Sequence, residues 1–234
     1  MEGWFSVIGG VGVENVDGVV RGSSPNSRPA WADTLEQRLE PLQTSWPPTP
    51  PGTRPSAVMA LLSLAEDPVL VLTLRARGLE HHGGQISLPG GGYEPCDAAP
   101  VDTALRETDE EVGLAPSRVT PLGQLSTRQI PVSHNQVIPL VGLWSGQEEV
   151  SVHDTVEVDT VIRWTMGQLA DPAHRMMAVH PRGGSGPAWQ IGDMFLWGFT
   201  GAVVDALLRA GGWDQPWDTS HQVEVPSRFG GPTR

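Results

Sequence analysis

Residues 97–113 read DAAPVDTALRETDEEVG. The stretch predicts a helix: Asp97 is an N-cap type, Pro100 suits a first turn, and Gly113 supplies a stop. Glu107, Glu110 and Glu111 stand at i, i+3 and i+4, so at about 100° per residue they share one face. Thr103 and Arg106 border that face. Val101, Ala104, Leu105, Thr108 and Val112 make a mostly apolar stripe opposite, which predicts a helix that packs while its acids stay in water.

Three carboxylates on one face repel one another by a few tenths of a kcal/mol per pair, roughly, on a bare helix. A solvated acidic surface is the plain explanation. A second one follows from Pro89-Gly90-Gly91-Gly92, a glycine turn just upstream that can bring a backbone carbonyl close to the acids. Carboxylates, a carbonyl and water are the ligand set of a hard cation, Mg²⁺ or Mn²⁺. Magnesium commonly shares a substrate's phosphates with the protein.

Residues 91–114 resemble the Nudix box: glycine, five residues, an acid, seven residues, then R-E-x-x-E-E-x-G and an aliphatic residue. Arg106-Glu107-Thr108-Asp109-Glu110-Glu111-Val112-Gly113-Leu114 reproduces the second half in full. Asp97 stands where the family has its first acid, with Asp in place of Glu and eight residues rather than seven before Arg106. Upstream, Leu70-Val71-Leu72-Thr73 and the run Leu79-Glu80-His81-His82-Gly83-Gly84-Gln85-Ile86-Ser87-Leu88-Pro89-Gly90-Gly91 are similar to the added signature of the coenzyme A pyrophosphatase subfamily. Leu88 replaces its usual Phe. That subfamily shares the Asp and the extra residue.

The resemblance implies an α/β (α+β) fold, the Nudix α/β/α sandwich with a mixed sheet. It also implies attack of water on a phosphorus of a diphosphate. Glu107, Glu110 and Glu111 would bind Mg²⁺ or Mn²⁺, with the Gly90 carbonyl as a further ligand; Glu107, Glu110 and Arg106 would serve catalysis. Arg106 would orient the cluster by pairing with Asp97, or would be an ordinary surface ion pair. Gly91 and Gly113 are structural in the box. The general base is open among Glu107 and Glu110 inside it and Asp154 and Glu157 outside. Arg75 and Arg77 alternate at a strand end and can face one side. With His82 they are candidates for the phosphates, or the 3′-phosphate, of coenzyme A, arginine being suited to bidentate phosphate binding; a solvated strand end is the alternative. His81-His82 lacks a third ligand at zinc spacing. Cys96 has no paired histidine, and His134 is assigned no role.

The formal net charge of −12 argues against nucleic acid or an anionic membrane as partner. It also means that a cation and local arginines must offset the field for a polyanionic substrate. All 15 basic residues are arginine. A lone cysteine excludes an internal disulfide and fits a reducing compartment. No leader pattern or membrane-length apolar run is visible, so a cytoplasmic protein is the expectation.

Residues 1–55 read as an extension, with a short strand in 5–13, a helix over 31–42 and a stiff proline-rich linker at 46–51. The helix would pack on the catalytic domain or a second subunit; homodimers occur in the family. The Nudix domain is placed at 56–211. Strands are expected at 57–64, 69–74, 85–88, 119–127, 137–144 and 157–164, with Pro139 marking an edge or bulge. Residues 129–135 read as a polar loop, 165–169 as a short helix, 189–196 as a hairpin and 198–210 as an amphipathic helix. Residues 212–234 read as a partly ordered tail. Two other readings compete with coenzyme A hydrolysis: hydrolysis of ADP-ribose, a dinucleotide or an oxidised nucleotide, and a Nudix-fold module that senses a nucleotide without cleaving it.

Overall fold

The computed structural model describes residues 28–79, 82–130, 134–180 and 183–229. Helix α1 (Ala30–Glu36) precedes strands β1 (Arg54–Ser63), β2 (Val69–Arg75), β3 (Ile86–Ser87) and β4 (Gly90–Gly92), then helix α2 (Pro100–Val112). Strands β5 (Thr120–Gln124), β6 (Arg128–Ile130), β7 (Asn135–Trp144) and β8 (Val158–Thr165) lead to helix α3 (Met166–Ala170). Strands β9 (Arg175–Val179), β10 (Ser185–Ile191) and β11 (Met194–Leu196) lead to α4 (Gly198–Gly211) and β12 (Gln222–Glu224).

The apolar runs at 57–63 and 69–74 form β1 and β2, as continuous hydrophobic strands buried on both faces do. β1 pairs in parallel with β7 from Arg54↔Asn135 to Ser63↔Trp144. Its antiparallel register with β2 covers only Leu61↔Val71 and Leu62↔Leu70. Beyond that the two strands splay. β4 takes up β1 at Ser56↔Gly92 through Val58↔Gly90, and β3 takes up β2 at Thr73↔Ser87. The glycine turn therefore enters the sheet where it opens. β8 flanks β2, while β5 and β6 pair successive parts of β7.

Alternate residues of β1 face opposite layers. Ala57, Met59 and Leu61 pack with Ala104, Val112 and Leu114 of the α2 side. Ala60 and Leu62 pack with Leu35, Val203 and Leu207 of the α1 and α4 side. The result is the expected α/β/α layering around a mixed sheet.

Several expectations are corrected. The first helix ends at Glu36, short of Leu39 and Leu42, because Glu40 bridges to Gln124 as an added edge. The helix does pack on the same chain, one of the two expected alternatives, with Trp31 tilted against Trp213 at 5.3 Å between ring centroids. Pro139 lies in an interior strand. Its carbonyl accepts from Leu125 N at 2.8 Å, so its donor-free nitrogen faces the gap between β5 and β6. Residues 128–130 form a strand against β7 rather than a loop.

A second sheet, in order β11-β10-β9-β12, adds β9 and β12 to the expected hairpin. The segment read as a loose tail supplies β12, which runs parallel to β9, and buries Val225 and Phe229 against Met176 and Phe195. The strand expected in 5–13 and residues 230–234 lie outside the described residues. Among the described residues no helix is long and apolar enough to cross a membrane.

Candidate active site

Arg106 is the hub of the acidic helix. Its Nε and NH2 donate to Asp97 Oδ1 and Oδ2 at 3.3 and 3.1 Å, and NH2 also donates to the Gly92 carbonyl at 3.0 Å. NH1 donates to Glu107 Oε1 at 2.9 Å and to Glu110 Oε2 at 3.0 Å. Asp97 is buried and accepts in addition from Thr103 Oγ1 at 2.6 Å and Glu94 N at 2.9 Å. Burial alone would raise its pKa; the Arg106, Thr103 and Glu94 donors outweigh it and hold Asp97 below the usual carboxylate value. Asp97 is therefore not the N-cap. Ala99 holds that place, and Asp102 accepts from Ala99 N at 2.9 Å. Asp97 instead fastens the loop after β4 to the helix through Arg106. Gly113 ends the helix in the left-handed region at φ 71°.

The three glutamates do not share one environment. Glu110 is exposed and Glu107 nearly covered, whereas Glu111 is 2% exposed; it does not stay in water as the helical pattern implied. Glu107 lies against Gly91, where a Cβ would come within 2.3 Å of its Oε1. Both Glu111 oxygens are buried with no hydrogen-bond partner. Burial pushes Glu111 up to about 8, against the pull of Arg75, with repulsion from Glu107 and Glu157 adding to the rise and the Gly90 backbone opposing it. Burial likewise raises Glu107, opposed by Arg106 and reinforced by Glu110 and Glu157.

Arg75, at the end of β2, faces Glu111 at 3.8 Å and donates to Glu157 at 3.1 Å. It thus pairs with two acids of the site. Glu157 stands opposite the helix at the start of β8. The loop leading to it is tied to the helix end by Ser151 N on Val112 O and His153 N on Glu111 O, at 3.2 and 3.1 Å. Asp154, the other outside candidate base, caps this loop by accepting from Val156 N at 2.8 Å.

Arg77 does not join Arg75. β2 ends at Arg75, so the alternation that would align the two stops one residue earlier, and Arg77 lines a separate small cleft. His82, at φ 60°, bonds Gln85 through Nδ1 at 3.0 Å and touches none of the acids. His81 lies outside the described residues. Reading the sequence missed Thr103 as an Asp97 partner and Arg75 as the counter-ion of Glu111. The Leu-Thr-Leu-Arg end of an apolar strand was the only signal for the latter.

Among the described residues, no three acid, histidine or cysteine side chains converge closely enough to hold an ion unaided. The donor chemistry nevertheless fits one. Glu111 has two partnerless buried oxygens, and Glu107 and Glu110 each give only one oxygen to Arg106. Two arginines do not satisfy all of these oxygens, and a buried carboxylate short of partners is costly, so a cation fits the cluster. A cleft of about 630 Å³ lined by Ser63, Val69, Trp144, Glu148 and Arg163 at the other end of β1 and β2 lacks such a cluster.

The NUDIX domain family model matches residues 53–179. A relative from Yersinia enterocolitica, named as an uncharacterized Nudix hydrolase NudL, is 32% identical over 164 residues, 66% of this chain and 80% of the relative. The NudL of Escherichia coli strain K12 is 31% identical over 157 residues, 66% of this chain and 81% of its own. A NUDIX hydrolase from Nitrosomonas europaea aligns with a TM-score of 0.46 at 14% identity, over 74% of this chain and 81% of that one. The NUDIX domain of Shewanella oneidensis NrtR, complexed with ADP ribose, gives 0.41 at 17%, over 50% and 76%. The chain belongs to the Nudix family. Its relatives are named as Nudix hydrolases, and the chain is a hydrolase of that family.

Proposed function

We propose that the chain hydrolyses the diphosphate of coenzyme A or its thioesters to 3′,5′-ADP and (acyl-)4′-phosphopantetheine. The observation that carries the hydrolytic part is the buried Glu111 carboxylate, which has no hydrogen bond among the described residues and is set between Glu107, Arg75 and Glu157. The coenzyme A part rests on the resemblance of residues 70–73 and 79–91 to the subfamily signature. The two signature segments lie side by side: Thr73 and Ser87 share a hydroxyl hydrogen bond of 2.8 Å, and Arg75 N donates to Gln85 O at 2.9 Å. The signature thus borders the acids.

Glu107, Glu110, Glu111 and the Gly90 backbone would hold Mg²⁺ or Mn²⁺, which when bound neutralises the diphosphate and acidifies a coordinated water. Arg106 keeps Glu107 and Glu110 on one side of the helix and fixes their spacing. Arg75 places Glu157 across from Glu107, where its exposed carboxylate accepts the proton of the attacking water. The water oxygen bonds to phosphorus as the bridging P–O bond breaks. Arg77 and His82 lie apart from this step.

The test is incubation with Mg²⁺ or Mn²⁺ and a panel of coenzyme A, ADP-ribose, NADH and nucleoside triphosphates, with products identified by mass. Preference for coenzyme A is the expected result. Preference for another member overturns the substrate; binding without turnover of any overturns the hydrolytic reading. Glu110→Gln lowers kcat at least about 100-fold, as loss of a transition-state contact does, with the circular dichroism spectrum retained.

A further inference from the structure

The C-terminal segment returns to the active-site side of the molecule and brings a second arginine to Arg77. Leu74, Arg77, Gly84, Asp193, Met194, Arg228 and Phe229 line a cleft of about 60 Å³. That is the room of about two waters, or of one compact tetrahedral anion. Arg77 makes no hydrogen bond or ion pair among the described residues, unlike Arg75 and Arg106. Arg228 is held in place: it donates to the Asp193 carbonyl, and its guanidinium lies 4.9 Å over the ring of Phe229, itself buried. Two arginines against the one acid of the lining leave a net charge of +1 in a chain of net charge −12.

The contact is built into the fold. Gly84 has φ +75°, and a Cβ there would come within 2.7 Å of the Arg228 carbonyl, so only glycine lets the C-terminal turn lie this close. Gly84 N also donates to Arg75 O at 3.0 Å. The cleft and the acids are thus neighbours around the end of β2. Arg75 turns to Glu111, and the preceding Leu74 lines the cleft.

We infer that the Arg77–Arg228 cleft binds a phosphate monoester of the substrate, one not cleaved in the reaction, and so selects for substrates that carry it. This rests on the coenzyme A reading, where that group is the 3′-phosphate of the ribose. Guanidinium forks match such an oxyanion. Arg228 is then a specificity residue from a segment beyond the matched domain, residues 53–179.

Two measurements test it. In steady-state kinetics with Mg²⁺, wild type favours coenzyme A over its 3′-dephospho form, and Arg77→Gln reduces that preference at least tenfold through KM rather than kcat. Equal use of both forms by wild type, or a proportional loss on both in the variant, overturns the inference. In calorimetry with EDTA at low salt, adenosine 3′,5′-bisphosphate binds at least tenfold tighter than AMP, and Arg77→Gln and Arg228→Gln each abolish the difference. A difference that survives both substitutions overturns it as well. Arg77 has no hydrogen bond or ion pair to lose among the described residues, so its variant decides the matter if Arg228→Gln fails to fold. The binding measurement needs no turnover, so failure of the hydrolytic reading and failure of the cleft give separate results.

Discussion

Glu111 concentrates the tension in the site. An unfolded glutamate titrates near 4.5, and Glu111 in the fold titrates at about 8. Between these values the folded chain keeps a proton that the unfolded chain has released, so rising pH favours unfolding. Its stabilising contribution is complete below about 4.5 and lost above about 8. Asp97 runs the other way: held below 3.8, it weakens the fold only as pH falls beneath that range. In EDTA, the Tm of the wild type therefore falls across the Glu111 window, and Glu111→Gln removes most of the slope in scanning calorimetry. Because an ion displaces the proton, the Tm increment from Mg²⁺ grows with pH over the same window. Gly91 poses a steric question instead. Gly91→Ala pushes a methyl into Glu107, and a displacement of about 1 Å costs on the order of 100-fold in kcat; unchanged kcat would show that Glu107 has slack.

At the scale of the element, α2 is stitched to the loop after β4 by Asp97. Asp97→Ala leaves Arg106, Thr103 and Glu94 N without their acceptor. Removing one partner of such a covered pair costs about 3 kcal/mol, readable as a shift in the urea midpoint. The helix itself was legible in the sequence because its apolar period, Pro100 and Gly113 all point to the same limits. The burial of Glu111 was not. Hydropathy counts a carboxylate as wet, and only the packing of Arg75, at the end of β2, and Glu157, just before β8, against the helix shows that this one is covered. Likewise the N-cap reading of Asp97 failed because a side chain with three stronger donors available does not cap. Arg77 was read with Arg75 on the assumption that the strand continued, and the pairing ended first.

For the whole molecule, the layered core was legible from its long apolar strands, and the second sheet was not. β9 and β12 are five and three residues long, and they pair with each other across more than forty residues of sequence, Gln222↔Met177. The boundaries at 56 and 211 also divide what the fold joins. Leu35 is fully buried among Val203, Leu207 and Leu208. Leu35→Ala costs about 3 kcal/mol by the cavity it leaves, a loss that denaturant titration checks.

Arg106 bonds Glu107 and Glu110 with nothing else present and offsets part of their charge. The polypeptide can thus reach its shape first and meet its ions afterwards. In this it differs from a zinc finger, where chelation melts the domain. Stripped of ions, the chain is expected to stay intact and ready to take them up again.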